Sequence, residues 1–275
     1  MVWSCLVSIL PGMAQTEKLT DYVNPFVGTD GYGNVYPGAQ IPFGGIQISP
    51  DTDSRFYDAA SGYKYNHLTL MGFSLTHLSG TGIPDLGDFL FIPGTGEMKL
   101  EPGTHEDPDQ GYRSRYSHDK EWASPNYYAV ELADYGVKAE MTSGVRSGMF
   151  RFTYPESDNA FIMIDMNHTL WQSCEWSNLR MINDSTITGY KLVKGWGPER
   201  HVYFTATFSK KLTGLRFVQD KKPVIYNTSR FRSSYEAWGK NLMACISFDT
   251  KAGEEVTVKT CLLYTSDAAD DLIGV

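Results

Sequence analysis

Two aspartates three residues apart, Asp85 and Asp88, close a run that also carries His77, Ser79, Gly80, Thr81 and Gly82: Gly72-Phe73-Ser74-Leu75-Thr76-His77-Leu78-Ser79-Gly80-Thr81-Gly82-Ile83-Pro84-Asp85-Leu86-Gly87-Asp88. Two carboxyls can do acid–base work, one giving a proton and the other activating water, when a fold sets them about 6.5–9.5 Å apart. The same short acids also bond loop amides, so both readings stay open. His77 can donate and accept toward a pair of hydroxyls, and Phe73 and Leu78 beside it equally suit a histidine satisfied inside the fold. Ser79, Thr81 and the amides of Gly80 and Gly82 match the donors and acceptors of a polyhydroxylated ligand without a fixed charge, or else close a Ser/Thr turn. Four glycines among the seventeen residues keep the backbone bare enough for a ligand or a second domain to approach.

Indoles are the other candidates, because a flat indole covers the C–H face of a pyranose while its N–H bonds a hydroxyl. Trp171 and Trp176 flank a stretch outside clear alternation, Trp171-Gln172-Ser173-Cys174-Glu175-Trp176. Lys194-Gly195-Trp196-Gly197-Pro198 sets Trp196 on a glycine-flanked turn, which makes it the stronger candidate for contact with a ligand or another domain.

The elements that must position these residues are strands. Phe89-Leu90-Phe91-Ile92-Pro93-Gly94 reads as a strand ending in a turn. Residues 127–132 and 137–142 flank Ala133-Asp134-Tyr135-Gly136 as a hairpin, and residues 182–190 form another. Alternation with period two continues through 148–154 and 202–208, while 160–165 is apolar enough to be buried on both faces. The last plausible strand is 255–259. Helical periodicity is nowhere sustained. Many strands without helical crossovers imply an all-β fold, a large antiparallel β-sandwich with few short helices.

A net charge of −8 and a pI near 5.2 argue against a nucleic-acid partner, since no basic stripe exists to meet a phosphate backbone. No apolar run after the N-terminus is long enough to cross a bilayer. Residues 1–14 combine a short apolar stretch with small residues near Ala14, as in the remnant of a secretory signal peptide whose basic start is missing, so the expected location is periplasmic or secreted. Cys174, Cys245 and Cys261 have no Cys-x-x-Cys spacing; buried thiols are the default, with a Cys174 to Cys245 bridge an open alternative. No Asp-x-Asp-x-Asp-Gly loop is present, and no metal ligand is assigned.

The block at 72–88 follows three others: Asn24-Pro25-Phe26-Val27-Gly28-Thr29-Asp30-Gly31 running on to Tyr36-Pro37-Gly38-Ala39-Gln40-Ile41-Pro42-Phe43-Gly44, then Ser49-Pro50-Asp51-Thr52, then Ser61-Gly62-Tyr63-Lys64-Tyr65. In this order the four blocks resemble the opening of glycoside hydrolase family 92, exo-acting calcium-dependent α-mannosidases. The resemblance covers roughly residues 20–260 and departs at Leu75, where the family usually has histidine. It implies a supersandwich of the galactose-mutarotase-like kind joined to a C-terminal (α/α)6 barrel that carries the catalytic carboxylates and most calcium ligands. The residues after 259 cannot supply six helical hairpins, so the reading is an N-terminal domain at 20–260 without its barrel. Residues 261–275 leave the family pattern and read as a non-native tail. On this reading no catalytic residue lies in the chain, and His77, Ser79, Gly80, Thr81, Asp85, Asp88 and Trp196 face substrate or the domain interface. The implied partners are mannose-containing glycans and the barrel, with calcium in the intact enzyme. The rival is a non-catalytic carbohydrate-binding sandwich that holds sugar on exposed aromatics of one sheet face.

Overall fold

Alternating side chains become two stacked sheets in the computed structural model, which describes residues 18–54, 57–224 and 236–264. In chain order the first strands are β1 (Ser49–Asp51), β2 (Thr69–Leu70), β3 (Gly72–Ser74), β4 (Leu90–Thr95), β5 (Ser114–Arg115), β6 (Glu121–Ser124), β7 (Tyr127–Leu132), β8 (Val137–Ser143) and β9 (Ser147–Tyr154). They continue with β10 (Ser157–Asp165), β11 (Ser173–Asn183), β12 (Thr186–Lys194), β13 (Arg200–Phe208), β14 (Gly214–Gln219), β15 (Lys222–Pro223), β16 (Glu236–Gly239), β17 (Leu242–Thr250) and β18 (Glu254–Tyr264). One sheet of seven strands runs β1-β3-β4-β10-β17-β14-β15, and one of nine runs β16-β11-β12-β13-β18-β9-β8-β7-β6. The described helices are four short 3₁₀ turns.

The main core lies between the sheets. β9 turns Phe150, Phe152 and Tyr154 inward and leaves Met149 and Arg151 outside, the alternation that a half-solvated antiparallel strand requires. Phe91 of β4 meets Phe150 of β9 at 4.9 Å between ring centroids, and Phe89 meets Phe204 of β13 at 4.5 Å. Such ring pairs contribute about 0.5–1.5 kcal/mol each beyond area burial, so they tie the two layers together.

β10 is buried on both faces because a second core lies outside the seven-stranded sheet. Ala160, Ile162 and Ile164 face the main core, while Phe161 and Met163 face a smaller cluster with Met71, Ile92 and Tyr112. Met98 and Leu100, from the excursion after β4, pack over that cluster.

Several boundaries differ from the sequence reading. β4 runs through Pro93 and Gly94 and turns only at Gly96, where φ is +84°. β3 pairs with β4 at Phe73 alone, so Pro93 has a ladder partner on one flank and its missing N–H is tolerated. Trp176 lies within β11, where a register shift between Cys174 and Trp176 hides the alternation. β18 extends to Tyr264 against β13, four residues past position 260; the rest of the 261–275 segment and all of residues 1–14 lie outside the described residues. Cys174 and Cys245 are buried thiols with no bridge between them, and among the described residues no helix is long and apolar enough to cross a membrane.

Gly38 shows why the glycine-rich opening is needed. A Cβ there would lie 2.0 Å from the Ile48 carbonyl oxygen and 2.5 Å from Ser49 Cβ, at the bridge between Ala39 and Ile48 that leads into β1. Gly38→Ala is therefore expected to cost about 1–3 kcal/mol in denaturant unfolding, because backbone rather than a side-chain tip must move. Gly197→Ala meets nothing within 4 Å and serves as the control, expected within about 0.5 kcal/mol of wild type.

Candidate functional site

Asp51, the last residue of β1, is the point on which the motif blocks converge. Its Oδ1 accepts from His77 Nε2 at 2.8 Å and its Oδ2 from His168 Nε2 at 2.7 Å. The other His77 nitrogen, Nδ1, donates to the Gln47 carbonyl at 2.7 Å, so the ring is held at both ends. Gly62 packs on the same group: a Cβ there would stand 2.1 Å from Asp51 Oδ1, and its φ of +84° suits glycine. Burial alone would push the Asp51 carboxyl up, but the charge of His77 and hydrogen bonds from both histidines hold it well below the ordinary carboxylate range. His77 is thus buried in a polar knot with every ring nitrogen engaged.

A second knot surrounds Asp88. Lys191 Nζ faces its Oδ1 at 3.0 Å, Arg200 binds its Oδ2, and Thr76 Oγ1 donates to Oδ2 at 2.8 Å while accepting from the Asp88 amide. Burial works against ionisation here too, and the charges of Lys191 and Arg200 override it, so the carboxyl stays far below its usual range. A general acid must still hold its proton at working pH, and Asp88 is in the opposite state. Asp85 does different work. Its Oδ1 accepts from the Leu86 amide at 2.7 Å, its Oδ2 from the Trp196 amide at 3.3 Å, and Arg200 Nη2 lies 3.8 Å from it. The two knots join through Lys191, whose Nζ donates to the His168 carbonyl at 2.7 Å. A line of buried polar groups therefore runs from His77 to the Trp196 loop.

With this geometry in hand, the comparisons with known proteins decide the family. The glycosyl hydrolase family 92 N-terminal domain matches residues 22–262. The chain belongs to that family. The family GH92 alpha-mannosidase BT3965 from Bacteroides thetaiotaomicron, solved in complex with mannoimidazole, is 94% identical over 94% of this chain, with a TM-score of 0.89. This chain covers 35% of that one, so it spans about a third of the solved relative's length. The family GH92 inverting mannosidase BT2199 from Bacteroides thetaiotaomicron VPI-5482 shares the fold at 23% identity and a TM-score of 0.73, over 94% of this chain and 33% of its own. An uncharacterized secreted glycosidase of Arthroderma benhamiae is 30% identical over 139 residues, 50% of this chain and 17% of its own length.

In this family 92 domain the glycine-rich block divides into a buried root and an exposed tip. Thr76, His77, Asp85 and Asp88 are buried, whereas Ser79, Gly80 and Gly82 are exposed. The Gly80 amide donates to the Asn34 carbonyl at 2.7 Å, tying the tip to the opening block, and Thr81 Oγ1 closes a short turn onto the Ile83 carbonyl at 3.0 Å. Trp196 stands 60% exposed on a loop fixed by Asp85. Leu75, where the sequence resemblance leads to the expectation of histidine, is fully buried in the main core, so this chain presents no polar group there.

Sequence reasoning missed Asp51, His168, Lys191 and Arg200. Lys191 had left a signal: it shares strand parity with Ile187, Gly189 and Val193, which puts a lysine on the inward face of β12. Among the described residues, no group of three or more His, Cys, Asp or Glu side chains is placed to hold a metal ion. The buried carboxylates are already taken by basic groups, and a hard cation wanting six to eight oxygens finds no such set here.

Proposed function

We propose that this chain is the N-terminal domain of an exported α-mannosidase that removes terminal α-mannosides from glycans with inversion. The match over residues 22–262, together with the 94% identical mannosidase, carries this reading. The site geometry supports a division of labour. Asp51 and Asp88 are locked in ion pairs, and Asp85 is spent on two loop amides, so the domain lends shape and contacts rather than a proton. The exposed tip at Ser79–Thr81 and the Trp196 indole then form one wall of a pocket, and the C-terminal part of the protein supplies acid, base and calcium. Export agrees with the secreted fungal relative.

The test compares the purified 275-residue chain with a polypeptide extended to the full length of its relatives, using an aryl α-mannoside and a heat-killed control. The extended protein turns over substrate and the short chain does not. Turnover by the short chain would contradict the reading, as would an inactive extended protein that is folded and calcium-loaded.

One observation favours the rival, a sugar-binding sheet face. Register places Trp238, Asn178, Tyr190, Tyr203 and Leu263 side by side across five strands of the nine-stranded sheet, with Tyr190 and Tyr203 rings 4.9 Å apart. Loss of saccharide binding in Trp238→Ala would favour that reading.

A further inference from the structure

Trp171 occupies a backbone conformation that a bulky residue rarely adopts, with φ at +77°, yet its indole is 66% exposed. Such strain costs on the order of 1–3 kcal/mol and persists only where the surroundings fix it. Here they do. The Leu170 amide donates to the Leu86 carbonyl at 2.9 Å, Thr169 Oγ1 donates to the Gln172 carbonyl at 2.8 Å, and Gln172 Nε2 donates to the carbonyls of Pro84 and Leu170 at 3.0 and 2.6 Å. An exposed side chain gains nothing in the core from this arrangement, so packing does not account for it.

The indole borders a cleft of about 1000 Å³ that opens where β10 and β17 meet the β14–β15 turn. Met71, Tyr112 and Met243 give it an apolar floor. Charge at the rim is already satisfied: Lys221 pairs with Glu101 at 2.5 Å, and Asn241 Nδ2 donates to Asp220 at 2.8 Å. Gln172 also lines the cleft. Because both of its amide protons go to carbonyls, its orientation is fixed, and its buried Oε1 has no hydrogen-bond partner. That oxygen is closed to solvent, so Gln172 braces the loop beneath the indole rather than meeting a ligand in the cleft.

We propose that this cleft is a saccharide subsite, with the Trp171 indole as the platform for a pyranose and Gln172 as the residue that holds the loop beneath it. An apolar floor, one exposed indole and uncharged polar groups match the two faces of a neutral sugar. Lys221 is paired with Glu101 and His168 with Asp51, so the basic groups along the cleft are already engaged and a phosphorylated or otherwise anionic ligand is disfavoured. The choice of mannose-containing glycans rests on the proposed function; the site itself does not. In an intact enzyme the cleft would hold sugars beyond the one being cleaved, next to the loop that carries Trp196.

The test titrates the 275-residue chain with α-linked manno-oligosaccharides and follows tryptophan emission and binding heat. Trp171→Gly relieves the left-handed strain, so it is expected to unfold no more readily than wild type while losing affinity about tenfold or more. Trp238→Ala leaves affinity unchanged. Absence of binding by the wild-type chain overturns the proposal, and so does equal affinity in Trp171→Gly or a loss confined to Trp238→Ala. None of these outcomes depends on hydrolysis, so a failed turnover experiment leaves the subsite standing and a failed titration leaves the mannosidase reading standing.

Discussion

Asp88→Asn is expected to lower the unfolding free energy by about 3–5 kcal/mol, the usual consequence of removing one partner from a buried ion pair. The amide keeps the shape of the carboxyl and removes its charge, so fully buried Lys191 is left as an uncompensated cation and Arg200 keeps only Asp85, 3.8 Å away. In a denaturant titration the midpoint falls while the slope stays constant, since the surface exposed on unfolding is unchanged. The second half of the experiment separates charge from packing. Lys191→Met alone also destabilises, because it leaves Asp88 to Arg200, but in the Asp88→Asn background it removes a stranded ammonium and restores part of the loss. A coupling of about 0.5–3 kcal/mol between the two changes is expected for groups in contact. Strictly additive losses would show that Lys191 and Asp88 do not share the energy that their 3.0 Å separation implies. The Trp196 loop reports the same event locally. Arg200, released from Asp88, is drawn to Asp85, which now holds the Trp196 amide.

How far the sequence could be read depends on the range of the interactions involved. Strands such as β7, β9 and β13 were legible because alternation is a local property that one buried face imposes residue by residue. The glycine-rich block was legible for the same reason, since bare backbone and small hydroxyls stand next to one another in the chain. What could not be read was pairing at long range. Asp51 meets a histidine 117 residues away, and Asp88 meets an arginine 112 residues away. Those contacts exist only once two sheets have stacked. The same holds for β10, whose double burial was visible while the excursion that covers its outer side was not. Trp176 was hidden by a bulge, and bulges carry no consistent sequence mark.

Asp51→Asn should flatten the acid side of the stability curve. The folded-state pKa of Asp51 lies below its unfolded value, so the native state binds fewer protons than the unfolded chain between those two values. The group therefore stabilises the fold above about pH 4, the ordinary aspartate range, and that contribution drains away as pH falls through the lowered folded value. Within that window one carboxyl contributes a slope of up to about 1.4 kcal/mol per pH unit, which Asp51→Asn removes. Asp88 behaves in the same way and keeps part of the slope in the single variant, so the double variant is flatter still. Glu140 is the contrast. Arg151 draws its carboxyl down to about 2; Glu140 is buried, but Arg151 stands half exposed, so salt screens this pair more than it screens Asp51. Unfolding curves taken between pH 2 and pH 7 at low and high salt check both statements. The Asp51 difference persists in salt because its partners His77 and His168 are buried with it. Superimposed acid limbs for wild type and Asp51→Asn would mean that the two histidines do not hold this carboxylate ionised, and that His77 is fixed by Gln47 and Ser74 alone.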